Sequence, residues 1–554
     1  MSDVKNSPGQ YGERMDTQKL ETQLRERTRQ VSDESPGPRS TVATEGSEGT
    51  EGTEGTEGTE GTDTSMDAAT GERRGEVAHT TPHAIDVILR SAHAAAVLLA
   101  ATSPKTRAIW LNTIGACLTI NREELVHIAG EETGLGADRL RSELAKAVTS
   151  LRFYADVALE GSYLGASSET LAQDSTLARW NIPIGPVAVF GASNFPFGFG
   201  MIGHDVASAL GAGCPVVAKA HPAHPRLSVR LGELVGEALV EAGAPDGAYS
   251  WVVGFDAGLR LIDAPEVQAV AFTGSQAGGM AIRRRAEARG IPVYAEMGTV
   301  NPVFVTPAAA RDHAEEIAAG FAASFTLGVG QFCTKPGLLF TPAGSGILHA
   351  VRRELALLPT APMLTTAIAA GYRSGIDQLA AAARTTSEST PGETPTVAPR
   401  VFSVLLDDLQ PGSRLLEECF GPVALVCEYD TVDRALDAIS RLQPALAASV
   451  FTGEATDADG DAAVRRLLPR VGRVALNAWP TGVATSWSQQ HGGPWPATSR
   501  PEATSVGAGA LGRFVRPVAL QNAPSDLLPP ALQPGNPWQV PRRIDGLLMP
   551  VPLP

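Results

Sequence analysis

The stretch Pro186-Val187-Ala188-Val189-Phe190, closed by Gly191, is an unbroken apolar run bounded by turn residues. Three more such runs follow it, at Pro215 to Ala218, Tyr249 to Val253 and Val267 to Phe272. Between the second and third lies a helical pattern from Pro225 to Ala242, with Leu227, Leu231, Leu234, Val235 and Leu239 at matching steps and Gly243 closing it. Short apolar strands alternating with amphipathic helices make a doubly wound parallel sheet, so the fold class expected is α/β. No GxGxxG follows the first strand, and the usual dinucleotide fingerprint is therefore absent.

Length and charge frame what surrounds that sheet. A chain of 554 residues with 43% hydrophobic content buries a large core and divides into two or three domains. The formal charge is −15, but residues 1 to 75 alone hold sixteen acidic and nine basic side chains. The remainder carries ordinary solubility charge, which argues against a nucleic-acid partner. Five cysteines, Cys117, Cys214, Cys333, Cys419 and Cys427, form no CxxC pair and no zinc-ligand spacing, the pattern of reduced thiols in the cytoplasm. The N-terminus lacks a basic patch followed by an apolar stretch, and no uninterrupted apolar run is long enough to span a bilayer, so no membrane partner is expected. From Glu45 to Thr62 a Glu-Gly-Thr triplet repeats, too poor in apolar side chains to offset its ordering entropy. Residues 1–80 are therefore expected to form a disordered tail, either a solvated extension or an interaction segment. Helical periodicity begins near His83, with Ile85, Ile88, Leu89, Ala92, Ala96 and Leu99 recurring at three- and four-residue steps, and there the fold is expected to start.

Three residues carry a coherent chemistry. Cys333, in Gly330-Gln331-Phe332-Cys333-Thr334-Lys335, follows glycines and polar residues that leave room for a substrate and for backbone donors. Buried free cysteines are usually small inert hydrophobes, a reading that suits Cys214 in Gly213-Cys214-Pro215-Val216. A thiolate that adds to a carbonyl carbon needs preorganised donors for the oxyanion. Asn194, in Ser193-Asn194-Phe195-Pro196, offers a side-chain N–H for that purpose, and Cys333 its own backbone N–H. Hydrolysing the resulting thioester needs a base for water, and Glu296 lies in the apolar run Val293-Tyr294-Ala295-Glu296-Met297, where burial raises a carboxyl toward neutrality. Taken singly, Glu296 also reads as a salt-bridged core acid and Asn194 as a turn residue. Lys219 is one of six lysines against 39 arginines and ends the apolar strand Pro215-Val216-Val217-Ala218, where an unpartnered ammonium is costly. The competing reading is a lysine snorkelling from a strand end. His221 and His224 lie among prolines without a third ligand and read as loop surface, so no metal is expected.

In their order and joint presence these strings resemble the NAD(P)-dependent aldehyde dehydrogenase superfamily over roughly residues 85 to 545. Gly191-Ala192-Ser193-Asn194-Phe195-Pro196-Phe197, Lys219-Ala220-His221-Pro222-Ala223-His224-Pro225 and Gln490-His491-Gly492-Gly493-Pro494 are most similar to its α-ketoglutaric semialdehyde (2,5-dioxovalerate) and NADP-dependent fatty-aldehyde branch. The resemblance implies a Rossmann-type parallel-sheet cofactor domain over 81–296, an α/β catalytic domain over 297–478 and a C-terminal return over 479–554. Residues 161–182, with a piece around 512–520, would form a small oligomerisation β-sheet in a homodimer or homotetramer. Cys333 would be the nucleophile, Glu296 the base and Asn194 the oxyanion donor. In Ala271-Phe272-Thr273-Gly274-Ser275-Gln276-Ala277-Gly278-Gly279, Gly274, Ser275 and Gly279 would present a helix N-terminus to the cofactor's pyrophosphate, simple helix capping being the alternative. Lys219 would contact the adenosine ribose or its 2′-phosphate. Pro222 stands where NAD-selective relatives often place a Glu, which favours NADP, while Phe255 stands where the nearest branch has a basic residue, which keeps NAD open. In Glu417-Glu418-Cys419-Phe420-Gly421-Pro422, Glu418 would meet the nicotinamide ribose and Phe420 the ring, the alternative being an acidic turn with a core Phe. Trp479, Trp487 and His491 would line the substrate tunnel or simply pack. The implied reaction is oxidation of a small-molecule aldehyde through a cysteine thioester, 2,5-dioxopentanoate to 2-oxoglutarate by nearest resemblance. Fatty aldehydes, transfer to coenzyme A and a non-catalytic relative are the alternatives; a retained Glu296 argues for release to water.

Overall fold

The run at Pro186 becomes the central strand, Val187–Phe190, of a five-stranded sheet in the computed structural model, which describes residues 61–551 apart from 173–174, 384, 387–395 and 454–455. The strand order is Tyr249–Val252, Val216–Lys219, Val187–Phe190, Ala269–Gly274, Val293–Met297, and every pair is parallel. Val187 and Val189 join the core formed with Leu227, Leu231 and Leu234 of the helix Pro225–Glu241. Ala188 points the other way, toward Ile85, Leu89 and Ala92 of the helix Pro82–Ala101. Both faces are thus covered, which is why the strand shows no polar alternation. Strand order runs outward from Val187–Phe190 in both directions, so a crevice opens beyond the carboxyl ends of Val187–Phe190 and Ala269–Gly274, the topological switch point.

A second sheet of seven strands contains Asn301–Val305 and Pro336–Pro342 side by side, with Val423–Tyr429 and Ala445–Phe451 flanking them. Its strands pair in parallel apart from the short Thr385–Thr386 edge. A third sheet runs Val515–Gln521, Thr176–Pro183, Ser167–Thr170, Arg542–Ile544, Leu547–Met549. It brings the segments near 161–182 and 512–520 together and adds a hairpin from the last residues described. Beyond the second sheet the chain returns across the first. Residues 491–505 run along Val293–Met297, where Met297 N–H donates to Ala497 O at 2.9 Å and Ser499 N–H to Ala295 O at 3.0 Å. A buried Arg513–Asp205 ion pair of 2.7 Å fixes that return to the helix His204–Ala212.

One expectation needs correction. Residues 1–60, which hold all but Gly61 and Thr62 of the Glu-Gly-Thr repeat, lie outside the described residues, but residues 61–80, expected to be tail, are folded. Thr62–Met66 and Arg73–Ala78 form an antiparallel hairpin. Its turn is held by Asp67, whose carboxylate accepts N–H from Ala69 at 2.9 Å and Thr70 at 3.0 Å and pairs with Arg74 at 2.6 Å. Backbone bonds from Thr80 N–H to Val253 O and from Val253 N–H to the Thr80 hydroxyl dock the hairpin on the first sheet. None of these contacts has an apolar period, so pattern reading passes over them. The 20-residue helix Pro82–Ala101 is long and apolar enough to cross a membrane by composition, although Asp86 and Arg90 interrupt its apolar run. Here Ile85, Leu89, Ala92 and Leu99 are buried against protein.

Candidate active site

Cys333 sits just beyond the helix Pro307–Thr326, after a run in which Gly328, Val329 and Gly330 have φ of 57°, 60° and 65°. A β-branched residue such as Val329 in that region costs about 1–3 kcal/mol and persists only where its surroundings enforce it. Gly330 is enforced by space, since a Cβ there would lie 2.2 Å from Gly421 O. The turn is anchored to the second sheet by Asn301, whose amide donates to Cys333 O and Lys335 O at 2.9 Å each and accepts Ala447 N–H at 3.0 Å. Its thiol is half-buried and lines the cavity beyond the first sheet.

The returning segment brings His491 to the thiol. Its Nε2 lies 3.7 Å from Cys333 Sγ and 2.8 Å from Glu296 Oε1. Both side chains are almost fully buried, at 2% and 3% exposure. The short N···O contact is off the hydrogen-bonding direction, leaving Oε1 without an aligned bond, while the Ser505 hydroxyl donates to Oε2. Burial pushes the Glu296 carboxyl up, but His491, Ser505 and Cys333 outweigh it and hold the group below its ordinary value. This corrects the expectation of a carboxyl raised toward neutrality: an apolar run predicts desolvation but not the polar partners that the return segment delivers. Burial, with Glu296 and Glu418 nearby, pushes the Cys333 thiol up. The resting thiol therefore keeps its proton, and the adjacent imidazole is the group placed to take it.

Asn194 lies in the loop after Val187–Phe190 and, like Cys333, borders the cavity. One N–H of its amide donates to Gln331 O at 2.8 Å, leaving the other for an oxyanion. Two residues that sequence reading did not single out hold this loop. Glu143 Oε1 accepts Phe197 N–H at 2.9 Å and Gly198 N–H at 3.1 Å, and burial pushes its carboxyl up to about 7. Arg139 Nη2 donates to Asn194 O at 2.9 Å, its guanidinium lying 5.5 Å from the Phe195 ring and 5.4 Å from Phe332. A signal for Glu143 was present, because it lies on the buried stripe Leu140, Leu144, Ala147, Leu151 of its helix.

The cavity holds about 640 Å³ and is bordered by Lys219, Gly274, Ser275, Glu296, Glu418 and Phe420. Ser275 caps the helix Gln276–Glu287, its hydroxyl accepting Gly278 N–H, so capping and a cavity-facing helix N-terminus coexist. Gly279 does not border the cavity; it lets the helix approach the strand, since a Cβ would lie 2.7 Å from Met297 Sδ. Burial pulls the Lys219 ammonium below its ordinary value. Glu418 packs against Gly298, where a Cβ would collide with its carboxylate, and burial pushes it up to about 7 against the pull of Lys335. Lys335 is buried and donates to Cys419 O, Gly421 O and Val423 O at 2.8–3.0 Å, clamping the loop that carries Glu418 and Phe420. A helix N-terminus, a lysine and a carboxylate strung along one crevice fit the pyrophosphate, adenosine ribose and nicotinamide ribose of a dinucleotide.

The histidine loop reads differently from its sequence. His224 is 1% exposed, its Nδ1 3.2 Å from the Ser228 hydroxyl, and His221 borders the cavity with its Nδ1 accepting Ala223 N–H. The loop folds back over the strand end instead of toward solvent, because Pro225 starts the next helix at once. Phe255 is 71% exposed at the cavity. Arg285 also borders it but is paired with Asp263. Trp479 packs on Phe451 and Phe321, and Trp487 is 52% exposed, its ring edge-on to Phe153, so of the three tunnel candidates His491 alone reaches the thiol.

The comparisons with known proteins agree with this geometry. The model of the aldehyde dehydrogenase family matches residues 56–356 and 364–494. α-Ketoglutaric semialdehyde dehydrogenase 2 of Azospirillum brasilense is 41% identical over 471 residues, 79% of this chain and 87% of that protein. The α-ketoglutaric semialdehyde dehydrogenase of Acinetobacter baylyi is 35% identical over 479 residues, 84% of this chain and 91% of that protein. Among solved structures, a mutant of aldehyde dehydrogenase C from Pseudomonas syringae, in complex with NAD+ and octanal, shares the fold. It has a TM-score of 0.71 and 22% identity, and the match covers 83% of this chain and 93% of that one. With a cavity for a dinucleotide ending at a cysteine, and family strings matched over most of its length, the chain belongs to the aldehyde dehydrogenase family and is an enzyme acting on aldehydes.

Proposed function

We propose that the enzyme oxidises 2,5-dioxopentanoate to 2-oxoglutarate, with NADP as hydride acceptor. Arg139 carries the substrate assignment. Its Nη1 is buried without a hydrogen-bond partner, next to the two phenylalanines that adjoin Asn194 and Cys333. An orphaned donor of this kind costs about 1–3 kcal/mol, and the far carboxylate of the semialdehyde would satisfy it. A fatty aldehyde offers no such group. Arg473, whose guanidinium feels the Cys333 charge, already donates to Pro480 O and Gly482 O. The relatives from Azospirillum brasilense and Acinetobacter baylyi bear this semialdehyde in their names.

In the reaction, His491 Nε2 takes the Cys333 proton, stabilised by the ionised Glu296 beside it. The thiolate adds to the aldehyde carbon, and the oxyanion is held by the Cys333 N–H and the second Asn194 N–H. NADP, when bound, supplies the hydride acceptor. The Glu296–His491 pair then removes a proton from water, which attacks the thioester and releases the acid. Lys219 and His221 border the adenosine end, and Pro222 places no carboxylate there, which supports NADP. All five cysteines are free, in keeping with a cytoplasmic site of action.

Steady-state assays with 2,5-dioxopentanoate and hexanal test this reading. Cys333→Ala is expected to abolish both activities. Arg139→Met also removes the bond to Asn194 O and is expected to slow both aldehydes, but to lower kcat/KM for the semialdehyde by about ten- to a hundredfold more than for hexanal, the worth of a charged hydrogen bond. Equal losses on both aldehydes overturn the substrate assignment, and a kcat/KM favouring NAD overturns the coenzyme assignment.

A further inference from the structure

We propose that Cys333, His491 and Glu296 form a binding site for a borderline-soft divalent cation such as Zn2+, which inhibits the enzyme reversibly. One sulfur, one imidazole nitrogen and one carboxylate oxygen lie within 4.8 Å of one another. Cys333 Sγ is 3.7 Å from His491 Nε2, which is 2.8 Å from Glu296 Oε1. A tetrahedral zinc with ordinary bond lengths sets S···N at about 3.6 Å and N···O at about 3.4 Å. The first distance is already met, and the second needs the carboxylate to move back by about half an ångström.

The independent pointer to a ligand is Oε1 itself. It is buried and lacks an aligned hydrogen bond, although Nε2 is in contact with it. Two lone-pair atoms facing each other across such a distance are reconciled by a shared proton or by a cation. The Ser505 hydroxyl on Oε2 orients the carboxylate, as partners of metal ligands commonly do. The half-buried Cys333 borders the cavity, so the fourth position faces the cavity and is left for water. Binding forms the Zn–S, Zn–N and Zn–O bonds and expels the thiol proton to solvent, with no change of oxidation state. The mixed S, N, O set selects zinc over Mg2+ and Ca2+, which prefer all-oxygen shells. Loss of activity follows because the bound thiolate is no longer free to attack an aldehyde; that consequence rests on the proposed reaction, whereas binding does not.

The test uses the full chain treated with Zn2+ or Co2+. One Zn2+ per chain is expected, protecting Cys333 from iodoacetamide as read by mass spectrometry, with EDTA restoring both alkylation and turnover. Co2+ is expected to give a thiolate-to-metal charge-transfer band that is absent in Cys333→Ser. His491→Gln removes a ligand and is expected to weaken Zn2+ binding by more than the roughly tenfold that losing a ligand's hydrogen-bond partner costs. Undiminished Zn2+ affinity in both variants, or full alkylation of Cys333 in zinc-saturated wild type, overturns the proposal. A protein that shows the cobalt–thiolate band but oxidises no aldehyde refutes the proposed reaction and leaves the site standing.

Discussion

Glu418, half-buried, and Glu296, buried, are carboxyls at one cavity, yet their surroundings push them in opposite directions. Glu418 has only the distant help of Lys335 and is pushed up to about 7; Glu296 has His491, Ser505 and Cys333 and is held low. The sign of the first follows directly. Between the ordinary carboxyl value and about 7, the folded chain holds a proton on Glu418 that the unfolded chain has lost, so stability falls as pH rises through that window. Glu418→Gln is expected to be the more stable protein at pH 8, by about 3 kcal/mol, as read from urea unfolding. The ionised form is also the better acceptor for ribose hydroxyls. KM for the coenzyme is therefore expected to drop as pH climbs through about 7 in the wild type and to stay flat in Glu418→Gln. For Glu296 the test is a different one: Glu296→Gln is expected to give a single hydride burst and then accumulate acyl-enzyme, detected by intact mass. Steady turnover with no adduct would reassign water activation to His491 alone. Cys333, Glu296 and Asn194 could be read in the sequence because each sits in a short string whose composition is itself informative. Arg139 was not legible, and His491 and Glu143 were so only as a tunnel-or-packing histidine and a charge on a buried stripe, because their contacts arise where segments hundreds or tens of residues apart meet.

At the scale of elements, the apolar strands of the first sheet were legible because burial on both faces leaves no polar alternation to misread. The hairpin at Thr62–Ala78 was not, since it is stabilised by a polar turn and by docking. That hairpin ends beside the coenzyme crevice. His79 Nε2 lies 2.9 Å from Asp63 Oδ1, while Asp63 Oδ2 is buried without a partner. The His79 ring packs against Gly254, which opens the helix Phe255–Asp263. Lys219 pairs in register with Val252 in the adjoining strand, and the Asp63 charge acts on its ammonium. A carboxylate here opposes a 2′-phosphate bound at Lys219. Asp63→Asn is expected to raise the NADP-to-NAD ratio of kcat/KM about fivefold, the effect of one charge worth about 1 kcal/mol. An unchanged ratio would show that the hairpin only braces the sheet.

At the scale of the molecule, the third sheet is the part that leaves an apolar edge uncovered among the described residues. It gathers strands from 167–183 and 515–549, yet its outer strand Leu547–Met549 leaves Leu547, Leu548 and Met549 exposed at 70%, 60% and 49%. Three consecutive exposed apolar residues on an unpaired edge invite aggregation unless something covers them. The partner expected is a second copy of the chain, because a closed symmetric pair buries both edges at once. Light scattering after size exclusion is expected to show a dimer or tetramer for the wild type. Leu548→Glu places a charge on the edge without touching Cys333 or the coenzyme crevice, and is expected to shift the protein toward monomer. If it does so while retaining turnover, the active site is complete within one subunit. A wild type that is monomeric at micromolar concentration would mean that the exposed edge has some other cover.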